Sequence, residues 1–570
     1  MPTIYGKVDG DPGEPMRACL RAAVVLALLA APAGVGAQAP PPPIPTCAVL
    51  ADDAWTPQEK FVWTRICDGD VADLNPGAPT GRTDPRAGWL SESRILRAVF
   101  IETILTREPY RGAITRHGVR VFGARFTERI DLQNAVLAHE LWFEGCLFEK
   151  GVDLSWLQTS QPVAFNTSKV AGLLNLYAAQ IASDLHMTHS QMEDVGLTGA
   201  HIGRALDLSN SHVTGSLDMP GIDVGADLGM NEGEYQEISL LGAHVGHSLN
   251  LERSRVAGRL WMDSLQAGVY LHFRDSTLAD VNLLGARVQS QLSFDRATVS
   301  GELNMFDVQV GTDLWMRDAT FLKKVNLGYT QIGGQLGWNR TKFHQDVDLS
   351  GAHVNGVFQL QSAQWQPNVS LTARFTRLAV IPRLSDAWPP KLHIVGLTYD
   401  GIQSVEGAAS VGDGFEQWLG RQERYARQPY EQLAGILQGQ GDIEKATAVH
   451  FAERDRDRER PGQPGHIFAW LTLLRWLIGY GYYPYYSLWW IVGFVLLGAL
   501  VLRVSGEGPR NAMPIGLSYS FDMLLPIVRL RDQHYAIDLK GWARYYYYGH
   551  KLMGWVLASF LVAGLSGLTK

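Results

Sequence analysis

One spacing constrains this chain more than any single residue does. An apolar-x-apolar pair returns every 10 or 11 residues, 24 times, from Val119 to Leu371. With the first apolar residue of each unit at offset zero, offset five is Ala, Ser, Gly, Thr or Cys in 19 units, and offset seven is apolar in 22. One unit reads Val347-Asp348-Leu349-Ser350-Gly351-Ala352-His353-Val354. An 11-residue period would also suit a right-handed coiled coil. At about 100° per residue, however, offsets 0, 2, 5 and 7 fall near 0°, 200°, 140° and 340°, which is no single helical face. In two short extended segments joined by tight turns, offsets 0 and 2 share one face and so do 5 and 7. Frequent Gly at or near offsets 4 and 9 supplies the corners. A parallel β-solenoid follows.

Odd and even units differ, and the difference sets the coil size. Offset one is Asp or Asn in 8 of 12 even units (Asp131, Asp153, Asn175, Asp218, Asn282, Asn304, Asn326, Asp348) and in two odd ones. Offset seven is aromatic in six odd units and in no even one. One coil is therefore two units, about 22 residues with four short sides. Twelve coils at about 4.8 Å per rung make a rod roughly 55–60 Å long.

The run Val347-Asp348-Leu349-Ser350-Gly351 followed by Ala352-His353-Val354 resembles pentapeptide-repeat proteins, whose unit is A-(D/N)-L-x-x. The resemblance covers about 250 residues, roughly 119–372. It implies a right-handed quadrilateral β-helix, of which the best-understood examples mimic DNA towards topoisomerases. The chain departs from that pattern by an extra residue in every second step and by large residues where the family prefers Ala.

Net charge is −7 over 570 residues, so the chain has no basic footprint for nucleic acid. Residues 1–37 read as a signal peptide, with Met1 or Met16 as its start: Arg17 and Arg21, an apolar run over 22–31, and Val35-Gly36-Ala37 as cleavage site. A Pro-rich tether, 38–46, leads into a capping region, 47–118, framed by Cys47 and Cys67, which an oxidising compartment would let pair. Cys146 occupies the small inward offset five and reads as a wall residue. Within the capping region, 89–106 reads as a helix with Ile95, Leu96, Val99, Phe100 and Ile104 on one stripe, covering the open first coil. The β-helix is expected over 119–403, with Leu392-His393-Ile394 as a last rung. A helical hairpin follows over 404–465, resembling one tetratricopeptide-like unit.

Residues 466–570 change solvent. Two apolar runs, 485–504 and 549–568, are each long enough to span a bilayer. Trp and Tyr crowd the entrance of both, as an interfacial belt would. Within about 20 residues of the membrane the loop 505–548 and its flank carry Arg503, Arg510, Arg529, Arg531, Lys540 and Arg544, against Arg475 alone before the first run, which places the loop in the cytoplasm. An exported solenoid requires the same sidedness. Between the runs, the apolar stretch 513–530 resembles the re-entrant piece of a two-helix potassium-channel module, but it has no carbonyl filter sequence. It reads as a structural amphipathic segment.

Offset six points outward. In successive even units it reads His201, Asp223 and His244, the nearest approach to a metal or acid–base site. The same offset holds Arg255, Gln266, Thr277, Arg287, Thr298, Gln309, Thr320, Gln331, Lys342 and His353 elsewhere, the variety of a solvated face. Trp142, Trp261 and Trp315 could stack on sugar. Chains of similar plan are sometimes called membrane-associated oxidoreductases, yet no dinucleotide fingerprint, phosphate loop or nucleophile elbow occurs. The expectation is therefore no catalytic residue and no cofactor. The chain reads as a non-enzymatic scaffold or binding rod anchored to a bacterial inner membrane, its β-helix periplasmic or extracytoplasmic. Its partners would be the lipid bilayer and a protein or cell-envelope glycan, with no nucleic acid. The alternatives are a channel-like two-helix membrane protein and a β-helical carbohydrate-active enzyme.

Overall fold

Short extended segments two residues long cannot hold as an isolated sheet, so each must pair with the same segment one coil away. The computed structural model, which describes residues 47, 49–75, 89–404, 410–513 and 515–565, shows that stacking. The expected signal peptide and tether lie outside the described residues. From Val119 onwards the chain winds a parallel β-solenoid of about 13 turns, one more than expected, with strands roughly 22 residues apart in register.

Each turn contributes four strands, as in Leu249–Asn250, Arg255–Val256, Leu260–Trp261 and Gln266–Ala267. They define the first to fourth sides of the coil. Leu228, Leu249 and Leu271 stack on the first side, and Val224, Val245 and Ala267 on the fourth. These apolar residues point inward and are buried, forming one continuous core. Phe321, Phe343 and Trp365 stack on the second side with ring centroids 5.5 and 4.5 Å apart. A column of small residues at the first corner donates its hydroxyls to carbonyls of the preceding coil: Ser190 to Phe165, Ser254 to Met230, Thr341 to Met316. Cys146 belongs to this column; its Sγ contacts the Val121 carbonyl, and burial pushes the thiol up to about 12.

Two corners per turn lie in the left-handed region, at offset four of every unit, whether Gly (Gly199, Gly221, Gly242) or not (Asn210, Arg253, Asp275). The even-unit Asn column forms an amide ladder, Asn304 Nδ2 donating to Asn282 Oδ1 and Asn326 Nδ2 to Asn304 Oδ1. Asn304 and Asn326 also accept from the backbone N–H two residues on, those of Phe306 and Gly328.

One expected pair shifts. Val347 pairs with Leu371, not with Val369, because two extra residues enter around Pro367 and Asn368. The rung continues as Leu371 with Leu392, in agreement with the last rung read from sequence.

Before the solenoid lie α1 (Pro57–Cys67), α2 (Ala98–Thr106) and α3 (Tyr110–Ala113). Cys47 and Cys67 are disulfide-bonded, with Cα atoms 5.1 Å apart. The strand Ala72–Asp73 pairs in parallel with Val121 and Phe122, so the first side of the first coil is partnered. The helix expected over 89–106 is shorter, starting at Ala98. That start turns Val99 outward and brings Ile101 and Leu105 into the core beside Phe100 and Ile104. At the other end, α4 (Phe415–Gly420), α5 (Gln428–Gly439) and α6 (Ile443–Arg458) follow the last coil. Gln428 and Gln432 donate to the carbonyls of Leu397 and Tyr399, and Leu392 N–H to the Arg421 carbonyl, which satisfies the final strand edge.

The C-terminal part holds α7 (Gly465–Ile478), α8 (Tyr486–Val504), α9 (Glu507–Arg510), α10 (Leu517–Leu524), α11 (Asp532–Tyr535) and α12 (Trp542–Leu565). Among the described residues one helix, α8, is long and apolar enough to cross a membrane; two were expected. The second expected run, 549–568, falls within α12 and past its end, residues 566–568 lying outside the described residues. The first half of α12 carries Arg544, four consecutive Tyr, His550 and Lys551, which lowers its apolarity. α10 packs between α8 and α12: a Cβ at Gly554 would lie 1.8 Å from the Leu524 carbonyl oxygen. Asp522 is buried and accepts from Leu530 N–H, Arg531 N–H and His534 Nδ1, folding the segment after α10 back upon it.

Candidate functional site

Parallel stacking turns any outward offset into a straight column. On the fourth side, even-unit offset six runs His201, Asp223, His244, Gln266, Arg287, Gln309, Gln331, His353, one residue per rung. The odd-unit residues at that offset, such as Arg255, Thr277 and Thr298, stand on the second side instead.

The three residues singled out for metal or acid–base chemistry occupy successive rungs of this column, after Val136, Gln158 and Gln180. His201 Nδ1 meets Asp223 Oδ2 at 2.8 Å, both groups about half exposed. His244 is next in register but makes no bond to Asp223. Among the described residues no group of three or more His, Cys, Asp and Glu side chains is arranged to hold a metal ion. The three tryptophans are engaged elsewhere. Arg317 stacks 4.3 Å above Trp315 and Arg259 lies 5.3 Å from Trp261. The Trp142 ring lies 5.9 Å from that of His186.

Among the described residues the side chains of His244, Gln266, Arg287, Gln309 and Gln331 have no partner over five consecutive rungs, and neither do those of Arg255, Thr277, Thr298, Thr320 and Lys342 on the second side. Exposed polar groups bond to water, so an absent partner alone does not make a site. What sets this stretch apart is its shape: a cleft of about 760 Å³ opens over Arg287, Gln309 and Gln331. Asp307, Tyr329 and Gly351 edge one flank, and the His353–Asn355 pair, joined at 2.7 Å, closes one end. Elsewhere the coil's charged columns are internally paired. Arg253 binds Glu232, Arg296 binds Asp275, and Arg340 binds Asp318, one coil apart each.

The sequence lists every one of these side chains but not the cleft. Its walls come from residues about 22 apart that meet only through coil register.

A parallel β-solenoid with one open polar face, continued by a helical C-terminal part, is the class these observations define. No known protein family, curated protein or solved structure matches the chain.

Proposed function

We propose that the chain is a non-enzymatic, membrane-anchored binding rod. In this reading α8 and α12 hold it in a bacterial inner membrane, the solenoid stands on the extracytoplasmic side, and the loop 505–548 faces the cytoplasm. The segment 47–118 then serves as its cap, and its β-helix is right-handed, akin to pentapeptide-repeat rods. The fourth side receives an extended partner of the cell envelope.

The carrying observation is the open cleft of about 760 Å³ over Arg287, Gln309 and Gln331 on the fourth side, set against corner columns whose charges bond to one another. Specific recognition needs polar groups free to exchange water for a ligand. Membrane anchoring is supported by the apolar α8 and by the exposed Trp470, Trp476 and Trp489 around its entrance.

The test is a photo-crosslinking residue placed at Gln309, with the same residue at Thr320 on the second side as control, in the full chain in its membrane. A discrete adduct from Gln309 and none from Thr320 is expected. Equal adducts from both sites, or none from either, would remove the fourth side as the binding face.

A further inference from the structure

We infer that the cleft between Gln289 and Asn355 is a subsite for a linear glycan of pyranose units. This rests on the binding-rod reading and gives its ligand a chemistry.

The cleft is built by an interruption in a glycine column. At offset eight of successive even units the chain places Gly246, Gly268, Gln289, Gly311, Gly333 and Asn355. A Cβ at Gly311 would lie 1.9 Å from the Gln289 carbonyl oxygen, and one at Gly333 2.0 Å from that of Gly311. Backbone packing therefore forbids side chains over these two rungs, while Gln289 and Asn355 bound them. The opening is fixed by the fold and not by rotamers that could close it.

Its flank carries a planar ring in a set position. Tyr329 occupies a left-handed corner, φ 56°, and is 57% exposed. Phe306 holds it at a ring distance of 5.2 Å, and a Cβ on Gly351 would come within 2.9 Å of the ring. One face of a pyranose carries C–H groups while its rim carries hydroxyls, so such a sugar can lay its apolar face on Tyr329 and turn its rim to the column. Gln309 and Gln331 each present donors and an acceptor, matching hydroxyls that are both. Arg287 adds donors and Asp307 an acceptor, neither with a side-chain partner among the described residues.

Other polymers fit less well. A peptide adding as a strand would lie along an end of the solenoid, whereas the cleft opens on a side face whose strands already pair with the coils before and after. A nucleic acid needs excess cations, whereas Arg287 faces Asp307 across the cleft. The rung spacing of about 4.8 Å is close to the length of one pyranose unit, so successive sugars would meet successive rungs.

The experiment titrates the detergent-solubilised full chain with chito-oligosaccharides, cello-oligosaccharides and oligogalacturonates of graded length, by calorimetry. At least one series is expected to bind, tightening with length and then levelling once the cleft is filled. Tyr329→Asn, which keeps a residue tolerant of the left-handed corner, and Gln309→Ser should each weaken binding roughly three- to tenfold. Arg296→Gln should leave binding unchanged, and thermal unfolding would verify that the variants fold. No binding by any series, or binding indifferent to both fourth-side variants, overturns the glycan subsite. A protein adduct at Gln309 alongside absent glycan binding would sink this inference alone; absence of both would sink the rod reading with it.

Discussion

Arg296 donates from Nε and Nη2 to the two carboxylate oxygens of Asp275 one coil away, at 2.6 and 2.7 Å. Both residues sit at left-handed corners, and their column reads Glu232, Arg253, Asp275, Arg296, Asp318, Arg340. Charge alternates at each rung. The adjacent column repeats the device, with Arg274 3.4 Å from Glu252 and Arg317 2.5 Å from Asp295. Each exposed pair contributes little, about 0–1 kcal/mol. Their joint effect is on register: a coil that slipped by one rung would set like charges together.

Charge order in this column should therefore matter more than any one pair. Arg296→Gln is expected to shift the unfolding midpoint slightly, whereas Arg296→Glu, which makes three consecutive acids, should lower it clearly more. The hydrogen bond from Arg296 holds Asp275 below the ordinary carboxylate range, and that from Arg340 does the same for Asp318. A carboxylate with a depressed folded pKa stabilises fully above its unfolded pKa and loses that contribution as pH falls through the folded value. The ladder's support should thus be intact at neutral pH and disappear only below the ordinary Asp range. Denaturant melts of wild type and Asp275→Asn across acid pH test this, with the two curves converging at the lowest pH; parallel curves would contradict it.

Two kinds of glycine should respond oppositely to substitution. At Gly268 a Cβ would lie 1.9 Å from the Gly246 carbonyl oxygen, in backbone that cannot move without shifting a coil. At Gly285, φ 64°, the nearest atom is Ser264 Oγ at 3.9 Å. Gly268→Ala should cost about 1–3 kcal/mol as an overpacked contact, while Gly285→Asn should be close to neutral because Asn tolerates the left-handed region. Chemical denaturation ranks them, and equal losses would refute the close-approach argument.

The solenoid was legible in the sequence because each unit states its own geometry: offsets 0, 2 and 7 are inward in every coil, so the period survives local exceptions. It failed where the count changed. Around Pro367 and Asn368 two inserted residues leave Val369 apolar and buried, and only pairing shows that Leu371 carries the rung. Val99 was misplaced because the stripe depends on where the helix starts, which no cap residue marked. The cleft was invisible for a different reason. Offset six looked like one varied row, since odd and even units were read together, yet they belong to separate sides. Gln289 and Asn355 are unremarkable until they interrupt a column of glycines.

Cys146 should behave as a substituted serine. Its thiol, pushed up to about 12 by burial, lies in the hydroxyl column with Ser168 and Ser190 and makes the same contact with a preceding carbonyl. Cys146→Ser is expected to fold with an unfolding midpoint near that of wild type, and Cys146→Leu to be destabilised by about 1–3 kcal/mol through overpacking. In the native protein iodoacetamide should not modify Cys146 at pH 8, since almost no thiolate exists there and no solvent reaches it. Mass spectrometry of native and unfolded samples decides; fast native labelling would place the side chain outside the coil.

The segment between α8 and α12 should face the cytoplasm and should not conduct. Arg503, Arg510, Arg529, Arg531, Lys540 and Arg544 flank it, whereas within about 20 residues before α8 Arg475 stands alone and is paired with Asp455 at 2.9 Å. A conducting filter exposes rings of backbone carbonyls to dehydrated ions. Here the chain after α10 instead turns its Leu530 and Arg531 N–H groups onto the Asp522 carboxylate, with His534 closing the third position at 2.9 Å. Gln533, exposed on α11, is the natural reporter. Gln533→Cys should react with a membrane-impermeant maleimide in inverted vesicles and not in intact cells, and purified protein in planar bilayers should stay electrically silent. Labelling in intact cells would reverse the topology and take the solenoid out of the envelope; reproducible currents abolished by Asp522→Ala would favour the channel-like reading over the binding rod.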